Sequence, residues 1–277
     1  MALLTAFTKI SSAIGSPNMT ENLSSPINLD SNKKYKMKVQ EAGLSSNICN
    51  IFNINGQNNG LLRLSNNGGS TWYDLQISNG IYQLSGIANL INSTLDSYGW
   101  WKPGGVYGFT FSANTEMQII YFLMNSSLLK SGSLDTNGNM IGSQLGIQFD
   151  YKGSLLYQVL GYNAGSATFT TDGTYAAPNI ARIDYFGNTV SVLLDLCSTR
   201  IRNGIPSNEL LAFNLASGKV GNMYYYPISN TTPYVPVNLP NTITSYSLKF
   251  VSSQDLNQNI YLLSGSEAYV TFEIVES

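Results

Sequence analysis

Apolar and polar residues alternate at period two along most of this chain, and that pattern restricts its fold more than any other feature. In KKYKMKVQ, Tyr35, Met37 and Val39 alternate with Lys34, Lys36, Lys38 and Gln40. A strand here sets its apolar side chains on one face and its ammonium groups on the other. The alternation returns at Tyr73/Leu75/Ile77, Tyr107/Phe109/Phe111, Met117/Ile119/Tyr121/Leu123, Val190/Val192/Leu194/Leu196, Tyr246/Leu248/Phe250 and Ala268/Val270/Phe272/Ile274. Many half-buried strands with little helix between them pack as antiparallel sheets, which predicts an all-β sandwich. Six Asn-Gly pairs, at Asn55, Asn59, Asn67, Asn79, Asn137 and Asn203, supply residues that tolerate positive φ at the reversals.

One or two short helices interrupt the strands. The first is predicted from Ser85 as cap, Ile87, Leu90, Ile91, Leu95 and Tyr98 at helical spacing, and Gly99 as stop. The second is predicted over Ser154 to Leu160 with Gly161 as stop. Residues 1–30 are small, polar and interrupted by Pro17 and Pro26, and are read as an arm lying across a neighbouring surface. Residues 31–277 are read as one domain with long loop insertions near 124–145 and 199–240. Excursions of that length inside a compact domain are usually functional or form interfaces.

Composition narrows the function. Only 11% of the 277 residues are charged, against roughly 25% in average soluble domains, and the net charge is −2. No cationic field exists to gather nucleic acid or an anionic membrane, so no specific nucleic acid is expected as a partner. The chain has no histidine, which removes an imidazole base and a His-ligated zinc. Cys49 and Cys197 stand far apart without companion ligands and read as buried thiols. The opening MALLTAFTKISSAIGS lacks a basic start and carries Lys9 inside its weak apolar stretch, so neither a signal peptide nor a membrane span is expected.

Candidate sites are few. Asp135, Asn137 and Asn139 alternate as in the opening of a calcium loop, but Met140 and Gly146 stand where glycine and a bidentate glutamate belong, which leaves a hairpin turn. The 16 acids are scattered singly, and no phosphate-binding or nucleophile-elbow motif occurs, so no catalytic residue, metal or cofactor is assigned. Trp100-Trp101 and the run Tyr224, Tyr225, Tyr226, Pro227, followed by Tyr234, are candidate exposed aromatics. They suit the core or a subunit interface or, as the alternative, a carbohydrate-binding sandwich such as a lectin or receptor-binding module.

The order of segments carries a resemblance. SSPINLDSNKKYKMKVQEAGLSSNICNI followed by WYDLQISNGIYQLSGIANLINSTL resembles the opening of the penton, or minor capsid, proteins of virophages and polinton-like viruses. SLLYQVLGY, NIARIDYFGNTVSVLLDLCSTRIRNGIPSNELLAFNL and ITSYSLKFVSSQDLNQNIYL are similar to that family's later elements. The resemblance implies a single jelly-roll whose homopentamers occupy the icosahedral vertices among copies of a major capsid protein. It implies a structural protein of the virion, made in the host cytoplasm, with neither catalysis nor cofactor. Tyr224, Tyr225, Tyr226, Pro227 and Tyr234 are then the candidate subunit interface.

Overall fold

The structure is a computed structural model. It describes residues 2–65, 69, 71–97, 109–124, 147–171, 173–183, 189–202, 205–215, 223–226 and 234–277. The chain divides into two compact units, Met1–Cys49 with Phe186–Ser277 and, inserted in sequence between them, Asn50–Tyr185.

The first unit opens with β1 (Ala2–Lys9), β2 (Met19–Asn28) and β3 (Tyr35–Ser45). The chain then passes through the second unit: β4 (Leu61–Ser65), β5 (Tyr73–Gln76), α1 (Leu84–Ser97), β6 (Phe109–Asn114), β7 (Ile119–Met124), β8 (Ile147–Asp150), α2 (Leu156–Leu160), β9 (Ala167–Phe169) and β10 (Gly173–Ala176). It returns to the first with β11 (Thr189–Leu194), β12 (Glu209–Asn214), β13 (Met223–Tyr225), β14 (Thr242–Ser252) and β15 (Glu267–Glu276).

Two antiparallel sheets form the body of the first unit, in the orders β1-β15-β3-β13, with Val235–Pro236 as a short fifth strand beside β3, and β12-β11-β14-β2; two short two-stranded pairings accompany them. In chain order the eight strands fall in the first, second, first, second, second, first, second and first sheet. That pairing is the eight-stranded jelly roll of two Greek keys. The alternation seen in the sequence supplies its core. Met37, Val39, Val270, Phe272 and Ile274 of one sheet and Val190, Val192, Leu194, Leu248 and Phe250 of the other are buried. Tyr246 and Phe272 join the two layers edge to face, centroids 5.3 Å apart, and the Tyr246 hydroxyl donates to the Thr5 carbonyl at 3.0 Å.

The second unit holds two further sheets, β10-β7-β6 and β9-β8-β4-β5. Phe122 of the first packs on Phe149 and Phe169 of the second, at 4.9 and 5.0 Å between centroids. Helix α1 buries Leu84, Ile87, Ala88, Ile91 and Leu95. Helix α2 ends where its glycine predicts, with Gly161 left-handed at φ 80° and a tight approach of Asn179 that leaves no room for a side chain. Asn55 and Gly56, at φ 52° and 77°, turn a small hairpin as the Asn-Gly pair predicts.

Several sequence expectations are corrected. The segment 1–30 is not an arm across a neighbour: β1 pairs residue for residue with β15, and β2 pairs with β14 on either side of a register shift between Ile243 and Ser245. Leu4, Ala6 and Met19 are buried, a small apolar set that suffices because each strand is an edge needing only one partner. Within 199–240 lie two jelly-roll strands, β12 and β13, and not a single loop. Residues 125–145 of the other expected insertion, the calcium-like turn and Trp100-Trp101 lie outside the described residues. Strand β7 has the opposite phase to the one predicted. Ile120, Phe122 and Met124 are buried while Met117 and Leu123 are exposed, because six consecutive apolar residues, IIYFLM, carry no phase of their own. Ser85 sits inside α1, Leu90 is exposed, and Tyr98 and Gly99 lie outside the described residues.

Two outcomes follow from this packing. Deleting residues 1–30 removes an edge strand from each jelly-roll sheet, so the truncated chain is expected to lose its cooperative melt by circular dichroism; a truncated chain that melts as the full chain does would contradict the strand assignment. The second concerns alkaline pH. Burial pushes the phenols of Tyr246 and Tyr269 up to about 12 and raises Tyr151 and Tyr162 as well. An unfolded phenol titrates near 10, so above that pH the unfolded chain binds fewer protons than the folded one. Stability is therefore intact below pH 10 and falls as pH rises towards 12. Melts recorded from pH 8 to 12 check this, with no decline above pH 10 as the contrary result.

Candidate interaction surface

Because β1, β15, β3 and β13 pair in register, their outward side chains form rows across the sheet. One row runs Phe7, Tyr269, Gly43, Tyr225. On one side Lys9 stands opposite Glu267, whose amide donates to the buried Ser45 hydroxyl opposite Met223, and on the other run Thr5, Thr271 and Glu41. Further along, Leu3 stands beside Glu273 and Lys38. Phe7 is 53% exposed, Leu3 63% and Tyr225 67%. A solvated sheet face normally carries polar residues at such positions.

Gly43 makes the row possible. The Tyr269 ring lies over it, so a Cβ there would collide with the ring edge and sit 2.8 Å from Cζ. A glycine inside a strand often marks such a close approach. The Tyr269 hydroxyl then donates to Glu41 Oε1 at 3.0 Å. Burial first, and this bond to a carboxylate second, raise the phenol to about 12.

The charges of the face are largely matched within it. Lys9 Nζ lies 3.0 Å from Glu267, Lys33 Nζ lies 2.9 Å from Glu276, and Lys38 stands opposite Glu273. The two exposed pairs, Lys9–Glu267 and Lys33–Glu276, add little stability and offset one another's charge locally, while Glu273 is buried. Lys36 lies over the Tyr234 ring, 4.1 Å from its centroid, with Lys38 at 5.9 Å. Within the basic run 33–38, Lys33 is thus ion-paired while Lys36 and Lys38 face the Tyr234 ring.

The candidate aromatics are divided by this geometry. Tyr225 and Tyr234 belong to the outward face, Tyr234 through the short pairing of Val235–Pro236 with Met37 and Lys36. Tyr224 stands opposite buried Leu44, half-buried, and burial raises its phenol. Tyr226 is half-buried and donates its amide to the Ala42 carbonyl at 3.1 Å. Pro227 lies outside the described residues. Sequence reasoning missed Leu3, Phe7, Gly43 and Tyr269. The first two fall within the supposed arm, and Tyr269 occupies the polar phase of its strand, where an unusual aromatic is the available signal.

Elsewhere, Arg63 holds two acids, its Nε 2.7 Å from Asp74 and a terminal nitrogen 3.6 Å from Asp150, while its guanidinium lies 5.1 Å from the Trp72 ring centroid. Among the described residues no group of three His, Cys, Asp or Glu is placed to hold a metal, and no helix is long and apolar enough to cross a membrane. Cys49 and Cys197 are both buried, and burial pushes the Cys49 thiol up to about 12.

The strand pairings define an all-β protein with a single jelly-roll and an inserted β unit. No protein-family model and no curated protein matches the chain. Among solved structures it is similar to the mavirus penton protein, at 14% identity over 99% of each chain with a TM-score of 0.48. It is also similar to a chain of the Sputnik virophage, at 12% identity over 98% of each chain with a TM-score of 0.41. At these values neither likeness adds to what the strand pairings establish.

Replacing Gly43 with alanine is expected to displace the Tyr269 ring and break its bond to Glu41. The loss is about 1 kcal/mol, or roughly 2 to 4 °C in melting temperature. Ultraviolet titration should show one phenol moving from about 12 back towards 10. A Gly43→Ala variant with both readings unchanged contradicts the role given to the glycine.

Proposed function

We propose that this chain is a structural capsid protein, a penton that assembles as a homopentamer at the vertices of a virophage-type particle and there contacts a major capsid protein. The observation that carries the reading is the complete eight-stranded jelly roll, a fold that capsid subunits use, together with the exposed, charge-matched aromatic face on one of its sheets. The order of sequence segments that resembles virophage pentons supports it independently.

The physical argument for self-association is separate from the number of copies. Phe7, Leu3, Tyr225 and Tyr234 present apolar area at low entropic cost, and their surroundings carry little net charge to repel an identical chain. When such a face meets a different patch on the next copy, the contact is head to tail and closes into a ring if the rotation permits. On this reading the outward face of β1, β15, β3 and β13, with Tyr225 and Tyr234, lines the subunit contact. The protein's place is then the virion, and its activity is assembly.

Native mass spectrometry over a concentration series tests this. The expected particle has five times the mass of the 30.2 kDa chain. Phe7→Ser and Tyr225→Ser, both at exposed positions, should shift the population towards monomer by about tenfold in concentration while leaving the melt of the monomer nearly unchanged. A monomer at every concentration sinks the assembly reading. A pentamer indifferent to both substitutions moves the contact to another surface.

A further inference from the structure

Of the six Asn-Gly pairs in the sequence, three lie among the described residues, at Asn55, Asn59 and Asn79. An asparagine followed by glycine carries its own reaction. The glycine backbone nitrogen, once it has given its proton to a solvent base, attacks the asparagine side-chain carbonyl carbon, and no Cβ on the glycine hinders the approach. The new N–C bond closes a succinimide ring, the bond to the side-chain nitrogen breaks, and that nitrogen takes up a proton and leaves as ammonia. Water then opens the ring at either carbonyl, leaving aspartate or isoaspartate. The reaction needs a free carboxamide, a free glycine amide and a backbone able to rotate.

The fold withholds these conditions from two of the three pairs. Asn59 is fully buried; its Nδ2 donates to the Asn50 carbonyl and its Oδ1 accepts from the Phe52 amide, both at 2.7 Å. The Gly60 amide that would attack it donates instead to Asn58 Oδ1 at 2.8 Å. Asn79 Oδ1 accepts from the Asn53 amide at 2.6 Å, and the Gly80 amide donates to the Ile51 carbonyl at 2.9 Å. Gly80 is buried with the Tyr82 ring against it. In both pairs the attacking and the attacked group are held by bonds that must break first.

Asn55 differs on every count. Asn55 and Gly56 form the exposed two-residue loop between Asn53–Ile54 and Gln57–Asn58, at φ 52° and 77°. Among the described residues neither the Asn55 carboxamide nor the Gly56 amide has a hydrogen-bond partner, and nothing lies within 4 Å of the place a Gly56 Cβ would take. Ring closure requires Asn55 to turn out of the left-handed region, and little opposes that. Its hairpin has two residue pairs, Asn53 with Asn58 and Ile54 with Gln57, all of them exposed or half-buried. Segments of that kind open locally at low cost.

We propose that Asn55 is a site of spontaneous deamidation in the folded chain, with water as the co-reactant, and that the fold selects it over Asn59 and Asn79. Conversion places a carboxylate on the loop and, in the isoaspartate form, an extra methylene in the main chain of a two-residue turn. The proposal stands whether or not the chain forms pentamers.

Peptide mapping by mass spectrometry tests it, on the full chain aged in mildly alkaline buffer and on the same chain aged in urea. Fragment spectra assign each conversion to its residue, and circular dichroism at each time point selects the samples that are still folded. In the folded chain Asn55 should convert at least about tenfold faster than Asn59 or Asn79, which react only through rarer openings. In urea the three rates should come together to within about threefold, because each asparagine then precedes a glycine in an unfolded chain. The rate at Asn55 should rise with pH above neutral, and isoaspartate should accompany aspartate in its product. Conversion of Asn59 or Asn79 as fast as Asn55 in the folded chain overturns the selection by the fold. An intact Asn55 in the folded chain, at a time when the urea sample has converted, overturns the site. Aspartate without isoaspartate overturns the ring-closure route.

Discussion

Eight consecutive residues of β1, Ala2 to Lys9, pair in strict register with Ile274 to Glu267 of β15, and everything on the first sheet depends on that ladder. It joins the two ends of the described chain and places β15 between β1 and β3. Once β15 is fixed on both sides, its inward residues Ala268, Val270, Phe272 and Ile274 have only one face to enter, because a slip of one residue would turn all of them to solvent. The core requirement therefore sets the register, and the register decides which outward residues become neighbours. Phe7 meets Tyr269, and Tyr269 meets Gly43, for reasons that lie on the opposite side of the sheet.

Pairing across more than 250 residues costs chain entropy, although the cost rises only slowly with loop length. Inserting Asn50–Tyr185 between β3 and β11 exploits that tolerance. The inserted unit has its own ring cluster around Phe122 and Phe149 and its own two sheets, so its residues are ordered by contacts among themselves. Contacts this distant in sequence also make the jelly roll slow to form relative to local hairpins such as β6–β7.

Much of the jelly-roll core is legible in the amino-acid sequence. Val190/Val192/Leu194 and Ala268/Val270/Phe272/Ile274 alternate with neighbours that are polar or small apart from Leu193 and Tyr269, and each set is buried as the pattern predicts. Gly161 ends α2 for a reason visible in the sequence, since its φ of 80° suits glycine. The misreadings share a cause. Strand β7 is apolar on both phases, and β1 buries only Leu4 and Ala6 while exposing Leu3 and Phe7, so in each the pattern of side chains alone does not say which face is inside. Their phase comes from partners, Phe111 and Phe149 for β7 and β15 for β1, and partners are a property of the fold. The boundary at Asn50 is equally invisible, because both units share one composition rich in Asn, Ser and Tyr. The outward face is legible only in part: Tyr225 and Tyr234 stand out as aromatics, whereas Gly43 gains its meaning from the ring across the ladder.

That outward face shows how a surface becomes sociable without becoming sticky. A wholly apolar edge or face would invite indiscriminate pairing, and natural sheets usually resist it with lysines and short edges. Here the lysines are present, but Lys9 and Lys33 each pair with an acid, and Lys36 and Lys38 lie over an aromatic ring. The aromatic row Phe7, Tyr269, Tyr225 is flanked by Lys9–Glu267 on one side and by Thr5, Thr271 and Glu41 on the other, so the apolar strip is a single row wide. A partner must therefore match the spacing of Phe7, Tyr225 and Tyr234 while leaving the ion pairs hydrated at the rim, a condition that a shape-complementary surface meets and a random apolar one does not. With only 11% of its residues charged, the chain has little long-range repulsion to oppose an identical copy, so geometry on this face, and not net charge, decides what binds.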